Sequence, residues 1–142
     1  MLYLDTGCLV KLYYPEPESV AVVKIVFGKG IIFTDLRELE MATAMQLKVF
    51  RGEATPERVT AALGLVHEDL ASGKLSRGTV GVQSAMRDAV TMSLAHAATI
   101  GCRSLDILHC ALAKATGAEA FVSTDARQLA VARAGSLPVL TI

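Results

Sequence analysis

The chain has no tryptophan, and aromatic residues make up only 5% of its 142 positions. A core resting on large rings is therefore disfavoured. With 52% of residues hydrophobic, the interior must be built from Ala, Val, Leu, Ile and Met, which suits helices packed on a sheet. Cysteine is also scarce. Cys8, Cys102 and Cys110 are an odd number at wide spacing with no CxxC pair, which argues against a disulfide framework, a zinc site or a redox couple. No apolar run approaches the ~20 residues of a membrane span, and no basic segment leads into an apolar one at the N-terminus. The expectation is a reduced, cytoplasmic protein. Repeats, low-complexity tracts and Pro/Ser-rich linkers are missing too, so residues 1–142 read as one domain.

Neither sign of charge is in excess, with 14 basic and 14 acidic residues. Phosphate binding usually leaves a basic footprint, so this balance at first counts against a nucleic-acid partner. The inference weakens if four acids gather around divalent cations, because ten acids then face 14 basic residues, a balance of +4. Lys11, Arg37, Lys48, Arg51, Arg77, Arg87, Arg103 and Arg127 form no linear patch. Each reads as solvated surface charge, and any phosphate-binding face must be assembled by folding.

Short apolar segments at Met1–Leu4, Ile31–Thr34, Ala118–Ser123 and Leu137–Ile142 read as strands. Helical periodicity falls between them: Gly7–Tyr14, Pro17–Phe27, Leu36–Arg51, Pro56–Ser72, Val82–Ile100, Leu105–Thr116 and Ala126–Arg133. Alternation of this kind predicts an α/β fold with a parallel sheet covered on both faces. Gly28, Gly52, Gly73, Gly101, Gly117 and Gly135 stand at or just past helix ends, where a left-handed cap favours glycine.

In open parallel sheets the ligand site forms at the carboxyl ends of strands. Asp5 closes the first strand and Asp125 follows the third of those strands, although each also suits a helix N-cap. On a helical wheel, Glu40 falls in a stripe with Leu36, Leu39, Thr43, Leu47 and Phe50, and a carboxylate aimed at a core is costly unless paired or metal-bound. Asp35 and Glu38 have the spacing of a capping arrangement and read as structural. Asp106 lies in a helix apolar almost all round, behind Ser104 as a possible N-cap. Four such acids converging on one pocket require cations, and their hard oxygens suit Mg²⁺ or Mn²⁺. A pair of such ions fits phosphodiester hydrolysis.

Leu4-Asp5-Thr6 with Leu9-Val10-Lys11-Leu12-Tyr13, Leu39-Glu40 ahead of Ala42 and Ala44, Ser104-Leu105-Asp106-Ile107-Leu108-His109, and Phe121-Val122-Ser123-Thr124-Asp125 together resemble a PIN domain of the VapC type. The order and context run over nearly the whole chain. The resemblance implies a three-layer α/β/α fold and Mg²⁺- or Mn²⁺-dependent endoribonuclease activity, with Asp5, Glu40, Asp106 and Asp125 as the acidic quartet. It also implies a homodimer, an antitoxin partner, and an RNA substrate. Thr6 and Ser123 match hydroxyl positions lining such a site, Ser123 standing where Thr is more usual. Residues 52–82 carry no diagnostic motif.

His109, three residues after Asp106, reads either as a proton-transfer group or as a hydrogen-bonded core histidine; His67 and His96 read as structural. Tyr13 and Tyr14, ahead of Pro15, read as rings for base stacking, as a loop closing over the core or as a dimer contact. Competing functions are a Mg²⁺-dependent phosphatase, for which the first strand lacks an Asp-x-Asp motif, and a non-catalytic interaction module, which would have shed an acid. A dinucleotide-binding domain would need more than Gly7 after the first strand.

Overall fold

Period-two alternation along the short strands divides their apolar residues between two faces, and this division builds the molecule. The computed structural model describes residues 1–142. In chain order the elements are β1 (Leu2–Leu4), α1 (Thr6–Tyr13), α2 (Ser19–Val26), β2 (Ile31–Phe33), α3 (Asp35–Phe50), α4 (Pro56–Ala71), β3 (Leu75–Arg77), α5 (Val82–Ile100), α6 (Ser104–Ala115), β4 (Ala120–Ser123), α7 (Ala126–Ala134) and β5 (Val139–Thr141). All strands pair in parallel in the order β3-β2-β1-β4-β5. Leu2, Leu4, Ile31, Phe33, Ala120 and Val122 face a core closed by α1 to α4. Tyr3, Ile32 and Phe121 face the other way, onto α5, α6 and α7. The three-layer α/β/α expectation holds.

Every expected helix and strand is present, with bounds within two residues of those read from the sequence. The missing element is β3, which adds an edge strand beside β2. Its sequence, Leu-Ser-Arg, contributes one buried apolar side chain, Leu75, so it carries no hydrophobic run to announce it.

Three local readings change. The core face of α3 is Arg37, Met41 and Met45, whereas Leu39, Leu47 and Phe50 are exposed, so the stripe that first singled out Glu40 points outward. Asp35 and Glu38 both pair with Arg77 and tie α3 to the edge strand instead of capping the helix. At the end of α7 the left-handed residue is Ser136, with φ 63°, and not Gly135. Gly135 lies against Met92, whose Cε, 2.9 Å from where a Cβ would stand, would have to move to admit one.

Arg37 overturns the expectation of a solvated charge, because it is fully buried and none of its guanidinium nitrogens has a hydrogen-bond partner. Its Cζ stands 3.7 Å from the centre of the Tyr3 ring. A cation over a desolvated ring recovers about 2 kcal/mol, less than the several kcal/mol that burying an ion costs. Arg37→Met, of similar reach and no charge, is expected to raise stability by about 1–2 kcal/mol. A thermal melt checks this, and a fall in Tm would show that the charge stabilises the fold.

Candidate active site

β1 and β4 are adjacent strands whose connections leave in opposite directions across the sheet, the position at which α/β sheets form their ligand crevices. The backbone N–H of Asp5 continues the β1–β4 ladder by donating to Val122 O at 2.8 Å. Asp5 is buried and caps α1, accepting from the Cys8 N–H through Oδ1 at 2.6 Å. Its Oδ2 accepts from the Ser123 hydroxyl, which stands at the end of β4. The same hydroxyl oxygen accepts the Asp125 N–H at 2.8 Å. Asp125 caps α7, its Oδ1 taking the N–H groups of Arg127 and Gln128 while Oδ2 receives no protein donor.

Asp106 comes from the opposite helical layer. Its Oδ2 accepts from the Arg103 N–H at 3.0 Å, and its Oδ1 from the Gln128 side-chain amide at 2.9 Å. Ser104 is the first residue of α6 and Arg103 holds the cap position, so the N-cap role expected of Ser104 is not taken up. Gln128 also lies 3.4 Å from Ser123 Oγ, joining the Asp106 and Asp5 sides of the site.

Glu40 reaches the site from α3. Thr6 Oγ1 donates to its Oε2 at 2.5 Å, and His109 Nε2 contacts the same oxygen, leaving Oε1 without a protein donor. Burial opposes ionisation of Glu40, yet the hydrogen bonds from His109 and Thr6 outweigh it and hold the carboxyl below the usual glutamate range. Behind it, His109 is buried and its Nδ1 lies 3.0 Å from the Tyr3 hydroxyl.

The quartet therefore rings one end of the sheet, contributed by the β1–α1 junction, α3, α6 and the β4–α7 junction. It does not form one tight cluster. No three acidic, histidine or cysteine side chains stand together as a ready cation site, and hydroxyl, amide and backbone donors occupy part of each carboxylate. In kind, the donor set still fits a hard cation: every candidate ligand is a carboxylate oxygen, and Glu40 Oε1 and Asp125 Oδ2 have no protein donor. Thiol chemistry is disfavoured here. Burial, with the nearby Asp5 charge, pushes Cys8 well above the usual thiol range, and burial with Asp106 pushes Cys110 up to about 12.

Tyr13 and Tyr14 are taken up in packing, their hydroxyls donating to Asp69 Oδ2 at 3.0 Å and Glu53 O at 3.1 Å. Gln128 and Tyr3 were not singled out by sequence reading. The signals for them were spacing alone: Gln128 lies three residues after Asp125 in a helical first turn, and Tyr3 lies two before Asp5 on extended chain, hence on the same face.

A parallel α/β/α domain with acidic side chains gathered where β1 and β4 end is a framework for chemistry on phosphate esters. The chain belongs to the PIN domain family, whose model matches residues 2–134, and PIN domains are generally nucleases. Solved structures share the fold. VapBC2 from Rickettsia felis, in a structure with a DNA fragment from its promoter, aligns with TM-score 0.63 and 14% identity over 99% of this chain and 98% of that one. FitAcB from Neisseria gonorrhoeae gives 0.62 and 16%, covering 99% of this chain and 96% of its own. PAE2754 from Pyrobaculum aerophilum gives 0.57 and 19%, covering 97% and 81%. No curated protein matches the chain.

Proposed function

We propose that this protein, as one PIN-like unit over residues 1–142, is an endoribonuclease that hydrolyses RNA phosphodiester bonds with Mg²⁺ or Mn²⁺ and serves as the toxin of a toxin–antitoxin pair. The observation that carries the reading is the placement of Asp5, Glu40, Asp106 and Asp125 at one end of the sheet, in a chain of a nuclease family. These four carboxylates would hold the cation. When bound, it would offset their charge against an incoming phosphate and polarise the scissile ester. The chain's own residues set the geometry. Ser123 and the Cys8 N–H fix Asp5, Thr6 and His109 fix Glu40, Gln128 and the Arg103 N–H fix Asp106, and the α7 N-terminus fixes Asp125.

The toxin role is supported by the fold shared with VapBC2 and FitAcB, and by unpartnered apolar surface. Val82, Met86, Val90 and Leu94 recur every four residues on α5 and are all at least half exposed, a stripe suited to helix packing by a second copy or an antitoxin. No helix of the chain is long and apolar enough to cross a membrane, so this stripe is not a span.

The test is cleavage of end-labelled structured and unstructured RNAs by the purified chain with Mg²⁺, with Mn²⁺ and with excess EDTA. Cleavage with either cation and none with EDTA is expected. Intact RNA in every lane, together with normal growth of cells expressing the chain, would remove the proposal.

A further inference from the structure

Tyr3, His109 and Glu40 make a hydrogen-bonded line from the middle of the sheet to the acidic site. Tyr3 is fully buried, its ring stacked on Phe121 at a centroid distance of 5.7 Å and lying under the Arg37 guanidinium. Its hydroxyl lies 3.0 Å from His109 Nδ1, and His109 meets the Tyr3 ring edge-on. A buried hydroxyl proton needs an acceptor, and Nδ1 at 3.0 Å can serve as one. The ring's proton then resides on Nε2, which points at Glu40 Oε2. Thr6 donates to the same oxygen, so both partners hold Oε2 and Oε1 is left without a protein donor.

We propose that Tyr3 and His109 are positioning residues for Glu40: the Tyr3 hydroxyl holds the His109 ring in its Nε2–H form, and that N–H orients the Glu40 carboxylate. Both side chains are buried. Partners of this kind behind a ligand typically alter affinity or activity by about 10- to 100-fold. The activity arm rests on the nuclease reading above; the tautomer arm does not.

The experiment is ¹⁵N-detected NMR of histidine-labelled protein at neutral pH, with RNA cleavage kinetics on the same preparations. In wild type, His109 is expected to carry its proton on Nε2 alone. Tyr3→Phe, which keeps the ring and its packing, is expected to mix the two tautomers and to lower kcat about tenfold or more with KM little changed. His109→Leu is expected to lose more, and His109→Gln, whose amide can donate at the Nε2 position, to recover part of that loss. A proton on Nδ1 in wild type overturns the proposal, as does a Tyr3→Phe protein with the wild-type tautomer and rate. Should wild type cleave no RNA and its expression leave growth normal, the nuclease reading fails, and the tautomer measurement on wild type and Tyr3→Phe still supports or overturns the relay.

Discussion

Asp5→Asn is expected to abolish RNA cleavage while leaving the fold in place. Asparagine keeps an oxygen for the Cys8 N–H, so α1 retains its cap. The Ser123 hydroxyl, displaced from Oδ2, still has Gln128 Oε1 within 3.4 Å. What disappears is one negative charge at the junction of β1 and β4, where the proposed chemistry needs it. A loss of at least about a thousandfold is expected, corresponding to roughly 4 kcal/mol of barrier. Single-turnover cleavage alongside a thermal melt separates the two effects. A variant that keeps more than a tenth of wild-type activity would show that the Asp5 charge is not part of the machinery.

Phe121→Ala is expected to carry the largest cost in stability. The side chain is fully buried at the centre of β4, stacked on Tyr3 and packed within the α5–α7 layer. Truncating such a residue removes about 3–5 kcal/mol, against a total of about 5–15 kcal/mol for a domain. Urea denaturation should show a midpoint lowered by a third or more of its wild-type value. Leu140→Ala, at a residue 37% exposed on the edge strand β5, should shift the midpoint by less than half as much. Equal shifts would mean that the layer beneath β4 is loosely packed and does not hold Tyr3.

Much of this arrangement was legible beforehand because the strands are apolar runs between well-punctuated helices. The α/β layering, every helix and four strands could be read from period and glycine punctuation. β3 could not, since an edge strand of Leu-Ser-Arg buries too little to leave a pattern. The acids show a different limit. Asp5 and Asp125 were readable from strand ends, but Glu40 was reached through a mistaken face. The helix buries Met41 and Met45 and also an arginine, and a wheel scored on hydrophobicity cannot place Arg37 at the centre of the buried side. Tyr3, Gln128 and Arg37 matter through pairings across 22 to 106 residues of chain or more, which no local window contains.

The two halves of the acidic site belong to different helical layers. Asp5 and Glu40 are carried by the junction into α1 and by α3, and Asp106 by α6 on the far side of the sheet. The contact of His109 on α6 with Glu40 on α3 is thus a stitch across the seam between the layers. A shift of one layer against the other would move His109 against Glu40, so the geometry of the site is tied to the packing of the two sides of the molecule.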